Sequence, residues 1–126
     1  MKKAIVIGGS GFIGSHVADC LSDSGYKVIV YDLVESIWIR NDQHMVIGSV
    51  LDREKLEEVI TDSDVVYNFA ALADLNKAIK QPIKTVEINI LGNLNVLEAC
   101  RLNKVKRFIY ASTVYVYSRE GGFYRC

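Results

Sequence analysis

Ala4-Ile5-Val6-Ile7-Gly8-Gly9-Ser10-Gly11-Phe12-Ile13-Gly14 decides the fold. Ala4 to Ile7 is an apolar run of strand length. Beyond the glycines, Ile13, Val17, Cys20 and Leu21 recur at helical spacing. The glycines therefore sit where a strand becomes a helix, the context in which a glycine triplet acquires meaning. Gly8 supplies the tight turn. Gly11 carries no side chain to hold the backbone away from a diphosphate. Gly14 lets the helix pack close to the strand. Free N–H groups and the positive end of the helix dipole then face the phosphates. The triplet also fits a bare strand-to-helix turn without a ligand.

The following strand favours the ligand. Gly25 suits the left-handed residue that ends the first helix. Lys27-Val28-Ile29-Val30-Tyr31-Asp32 is the second strand, and Asp32 closes it ~20 residues past the glycine loop. A carboxylate there can accept both hydroxyls of an adenosine ribose and repel a 2′-phosphate. Leu33 and Val34 follow, not an arginine, so NAD is expected rather than NADP. The competing reading is a solvated Asp at a strand end.

The 126 residues are half hydrophobic, enough for one core. Fifteen basic residues balance fifteen acidic ones, so no basic field points to nucleic acid or an anionic membrane surface. Lys104, Lys106 and Arg107 read as charges at a helix C-terminus. No apolar run is long enough to span a membrane, and no signal peptide is expected. Cys20, Cys100 and Cys126 are scattered and lack metal-ligand spacing, which suggests reduced thiols in a cytoplasmic protein. His16 and His44 are isolated, so no metal is expected.

Further on, Trp38 reads as a packing residue with adenine within its reach, and His44 to Gly48 as a third strand. Asp52 is a candidate N-cap, with Leu51 and Leu56 placed for a hydrophobic staple and Leu56, Val59 and Ile60 forming a buried face. Ser49 and Val50, at the strand-to-helix crossing, would lie beside an adenine in a parallel sheet. Val65 to Phe69 is a fourth strand, followed by Ala70-Ala71, small enough to leave room for a cofactor or simply helix-forming. Pro82 opens a helix marked by Ile83, Val86, Ile90, Leu94 and Leu97, running to about Asn103. Asn93 and Asn95 are expected in solvent, and Asn89 toward the sheet. Arg107 to Tyr110 is a fifth strand, ending in Ala111-Ser112-Thr113. Strands alternating with helices predict an α/β fold, a Rossmann-like doubly wound parallel sheet in three α/β/α layers, with the ligand at the carboxyl ends of the strands.

The glycine loop with Ser15-His16, Asp32, Phe69-Ala70-Ala71, Asn89 and Ala111-Ser112-Thr113-Val114-Tyr115-Val116-Tyr117 together resemble the extended short-chain dehydrogenase/reductases. The similar subgroup is the NAD-dependent epimerase/dehydratases, which mostly act on nucleotide sugars. The resemblance implies that backbone groups of Gly11, Phe12, Ile13 and Gly14 hold the diphosphate and that Asp32 binds the adenosine ribose. It gives Ser49 and Val50 the adenine contact, although the family usually has Asp where Ser49 stands. Phe69, Ala70 and Ala71 line the nicotinamide side, and Asn89 helps order the active site. Thr113 matches the catalytic Ser/Thr that donates to the substrate oxygen.

The family's tyrosine base belongs to Tyr-x-x-x-Lys, where the ammonium lowers a phenol pKa that is otherwise about 10. Tyr124 is the candidate, and its lysine would fall two places past Cys126. The alternative puts the tyrosine further downstream. Tyr110, Tyr115 and Tyr117 read as strand or packing residues. On this reading residues 1–126 form an incomplete NAD-binding domain, inactive alone, with further strands and a substrate domain following. The partner is a nucleotide-sugar substrate, with neither nucleic acid nor membrane, and a homodimer is compatible with it. The alternative function is a non-catalytic dinucleotide-binding regulatory module.

Overall fold

Among the described residues five parallel strands form one sheet in the order β3-β2-β1-β4-β5. They are β1 (Lys3–Ile7), β2 (Lys27–Asp32), β3 (Gln43–Ile47), β4 (Val65–Asn68) and β5 (Arg107–Tyr110). The structure, a computed structural model, describes residues 1–113. The expectations for Tyr115, Tyr117, Tyr124 and Cys126 lie outside the described residues. Ala4 to Ile7 have no solvent exposure, as expected of a central strand covered on both faces. Ile5 pairs with Ile29 on one side and Val66 on the other.

The chain runs outward from β1 to β2 and β3, then crosses back to place β4 on the other side of β1. This reversal opens a crevice at the carboxyl ends of β1 and β4, the place where doubly wound sheets hold ligands. One face of the sheet packs Ala4, Val6, Val28 and Val30 against Ala18 and Leu21 of α1 (Phe12–Asp23). The other packs Ile5, Ile7, Tyr31 and Val66 against Leu56 and Ile60 of α2 (Arg53–Ile60) and Val96, Ala99 and Cys100 of α5 (Asn93–Leu102).

The local signals mostly act as the sequence indicates. Gly25 is left-handed at φ +81°, and two backbone bonds, Gly25 N–H to Ser22 O and Tyr26 N–H to Leu21 O, close α1. Asp52 caps α2 by accepting from Lys55 N–H at 3.1 Å. A short helix not anticipated from the sequence, α3 (Leu75–Lys80), is capped by Asp74, which accepts from Asn76 and Lys77 N–H. At the amino end of the sheet, Asp64 accepts from Lys3 N–H at 2.9 Å, and Lys106 stands 3.5 Å from the same carboxylate.

Three expectations are corrected. The helix from Pro82 is not uniform: α4 (Pro82–Val86) widens into a π-helical turn over Glu87–Gly92 before α5 begins. Its marker residues Ile83, Val86, Ile90, Leu94 and Leu97 face outward and are exposed, whereas Gly92, Val96, Ala99 and Cys100 face the core. Periodicity marks the helix but not the side it buries, because an outward apolar stripe has the same period as an inward one. Asn95 is buried, not solvated, and donates to Val50 O at 3.0 Å. Trp38 is 61% exposed instead of packed.

Candidate functional site

The glycine loop owes its shape to close approaches. Gly8 has φ +75°, and a Cβ there would lie 2.5 Å from Ala70 N and 2.6 Å from the Phe69 carbonyl carbon. Only glycine lets this turn lie against the end of β4. At Gly14 a Cβ would sit 2.7 Å from Gly9 Cα and closer still to the Gly8 carbonyl oxygen. The third glycine thus lets the start of the helix lie directly against the backbone of the loop. Among the described residues a Cβ at Gly11 would meet only Gly8 O at 3.4 Å, so its outer side is open to them.

Helix α1 begins at Phe12 with Gly11 as its N-cap and no side-chain capping bond. The first N–H groups of a helix have no partner within it. Among the described residues no side chain supplies one, and Gly11, Phe12, Ile13 and Gly14 line a cleft of about 750 Å³. Across the cleft stand Phe69, Ala70 and Ala71 beyond β4, Asn89 and Asn93, and Tyr110 to Thr113 beyond β5. The crevice thus brings together Gly8, Gly11, Phe12, Ile13, Gly14, Phe69, Ala70, Ala71, Asn89 and Thr113.

Asp32 lies behind the loop and holds it. One carboxylate oxygen accepts from Ser10 N–H at 3.0 Å and the other from Leu33 N–H at 2.7 Å. Ser10 Oγ donates to Val34 O at 2.7 Å, which ties the loop to the chain leaving β2. Each carboxylate oxygen has a second lone-pair direction for a diol.

Ser49 and Val50 are not among the residues lining the cleft. Val50 is a core residue, 7% exposed, beneath Gly92, where a Cβ would come within 2.5 Å of its Cγ2. The Ser49 carbonyl accepts from Tyr31 Oη at 2.8 Å. Burial, aided by the charge of Asp52, pushes the Tyr31 phenol up to about 12. Tyr31 is therefore a neutral donor that fixes the β3–α2 turn.

Asparagines secure the β4 side. Asn89, carried on the π turn, accepts from Leu72 N–H at 2.7 Å and donates to Leu72 O at 3.1 Å. Both backbone groups of Leu72 are thereby satisfied by one side chain, which sets the loop beyond Ala71. The partner of Asn89 is thus the loop and not the sheet. Asn93, expected in solvent, is half-buried instead. It accepts from Asn68 Nδ2 at 2.9 Å, and Asn68 Oδ1 accepts from Ala70 N–H at 3.1 Å.

Asn68, Asn93 and Tyr110 also line the cleft, unexpected there from the sequence. A polar residue closing a buried parallel strand was the available signal for Asn68. Tyr110, read as a strand or packing residue, is 56% exposed at the cleft and stacks on Phe108 with ring centroids 6.1 Å apart. Among the described residues no cluster of metal-ligating side chains occurs, and no helix is long and apolar enough to cross a membrane.

Comparison with known proteins agrees with this geometry. The model of the NAD dependent epimerase/dehydratase family matches residues 4–123. A dTDP-D-glucose 4,6-dehydratase of Dictyostelium discoideum is 37% identical over 130 residues, covering 93% of this chain and 30% of that enzyme. Among solved structures, UDP-glucose 4-epimerase from Brucella ovis in complex with NAD superposes with a TM-score of 0.86 at 33% identity. The match covers 93% of this chain and 37% of that one. The Thermus thermophilus UDP-glucose 4-epimerase complex with NAD gives a TM-score of 0.86 at 30% identity, covering 98% of this chain and 42% of that one. The chain therefore spans between 30% and 42% of the length of these three proteins.

Proposed function

The chain belongs to the NAD dependent epimerase/dehydratase family, and from that premise we propose that it is the NAD-binding part of an enzyme acting on a nucleotide sugar. Residues 1–126 are assigned to the dinucleotide-binding domain. The observation that carries the reading is the uncapped first turn of α1 opening into the cleft at the strand-order reversal.

The residues fit the cofactor. Backbone N–H groups of the first turn meet a diphosphate, and glycine at position 11 admits its close approach. Asp32 turns its remaining lone pairs to the adenosine ribose and disfavours a 2′-phosphate, so NAD is preferred over NADP. Phe69, Ala70 and Ala71 wall the nicotinamide side, with the loop behind them set by Asn89. Bound NAD supplies a hydride acceptor for a sugar C–H. Thr113 donates a hydrogen bond to the oxygen on that carbon. Tyr124 is the proposed base that takes the hydroxyl proton, and it needs a lysine neighbour to lower its pKa.

Self-association is part of the proposal. The outward stripe of Ile83, Val86, Ile90 and Leu94 offers apolar area to a second copy. A chain that sediments as a monomer at every concentration removes that part.

Calorimetric titration with NAD and NADP tests the whole. The parent should bind NAD and discriminate against NADP. Asp32→Ala should bind NAD more weakly and discriminate less. Equal affinity of parent and variant for both cofactors would take Asp32 out of the site, and no binding of either by the parent would end the reading.

A further inference from the structure

The polarity of the asparagine pair under β4 can be read without seeing a hydrogen. Ala70 N–H can only donate, so the Asn68 atom facing it at 3.1 Å is the carbonyl oxygen. Asn68 then presents its NH₂ to Asn93, whose facing atom at 2.9 Å must be its oxygen. The Asn93 NH₂ is left over. Among the described residues nothing accepts from it, and Asn93 lines the cleft. Asn68 is 5% exposed, so its amide has no solvent to turn to and the order of the chain is fixed from the backbone outward.

We propose that Asn93 is a ligand-binding residue, held by Asn68 with its NH₂ turned to the cleft, and that it donates to an acceptor oxygen in the nicotinamide-riboside half of a pyridine dinucleotide. The proposal rests on the NAD reading above and deepens it. Asn93 shares the β4 side of the cleft with Ala70 and Ala71, across from the first turn of α1, where the diphosphate is assigned. Its donor therefore serves the half of the ligand that ADP lacks. Asn68 touches no ligand and is a positioning residue.

The test uses NAD and ADP as probes on the full-length protein. Asn93→Asp keeps the acceptor for Asn68 and exchanges the donor for a charged oxygen of the same size. NAD affinity should fall about tenfold near neutral pH, while ADP affinity stays within about twofold. Asn68→Asp keeps the acceptor for Ala70 N–H but now needs a donor from Asn93. The Asn93 amide should turn over, point its oxygen at the cleft, and give the same selective loss of NAD from a residue that never meets it. Equal losses of NAD and ADP in either variant would mean that the pair only holds the fold, and would overturn the proposal. So would unchanged NAD affinity in Asn93→Asp. A parent that binds ADP but gains nothing from the nicotinamide half overturns it too. A parent that binds neither probe fails at the NAD reading itself, and the role of Asn93 falls with it.

Discussion

Alanine at Gly11 and alanine at Gly14 should fail in opposite ways. At Gly14 the new Cβ would lie 2.7 Å from Gly9 Cα and against the Gly8 carbonyl oxygen, where real Cβ atoms essentially never come below 3.0 Å. Both neighbours are backbone, so no side chain can swing aside. Helix α1 must retreat from the loop by roughly 0.5 Å or more, at the cost typical of overpacking, about 1–3 kcal/mol. The better helix propensity of alanine returns up to about 1 kcal/mol. The net loss of about 1–2 kcal/mol should lower the melting temperature by roughly 5–10 °C. At Gly11 the Cβ meets only Gly8 O at 3.4 Å, an ordinary contact, and the backbone at φ −79° suits any residue. Gly11→Ala should melt within about 2 °C of the parent. Its methyl group instead stands where the diphosphate approaches, so NAD affinity should drop by tenfold or more, about 1.4 kcal/mol. Differential scanning fluorimetry and calorimetric titration of the two variants supply both numbers. A Gly14→Ala protein with parental melting would refute the packing argument. A Gly11→Ala protein with parental NAD affinity would refute the phosphate site.

Two further perturbations probe the frame around the site. Tyr31, with a folded-state pKa of about 12 against about 10 when unfolded, contributes stability that is complete below pH ~10 and is lost as the pH rises toward 12. Urea unfolding at pH 9 and pH 11.5 should show a decline of about 1–2 kcal/mol that Tyr31→Phe lacks, and identical slopes in the two proteins would dismiss the effect. Lys104 sits left-handed at φ +53° after α5, where Val105 N–H bonds Cys100 O at 2.9 Å in the pattern that favours glycine. Lys104→Gly should raise stability by about 0.5–1 kcal/mol in the same assay, and a loss would show that the lysine side chain matters more than its backbone.

Local requirements were written in consecutive residues and could be read there. A run such as Ala4 to Ile7 must be buried, a turn such as Gly8 must be left-handed, and Gly25 must end a helix, whatever the rest of the chain does. The parallel sheet, the loop at the head of α1 and Asp32 at the end of β2 followed from such demands. Which residues meet across the sheet did not. Val50 is core with Gly92, at the end of the π turn, lying close over it. Asn68, Asn89 and Asn93 are fixed by partners up to 25 positions away. In the sequence they are only polar residues with no period. An apolar stripe likewise has one period whether it faces in or out, so the exposed side of α4 and α5 cannot be told from the buried one in the sequence. Backbone geometry is a short-range property of the chain. The pairing of side chains waits on the strand order, which only the folded molecule establishes.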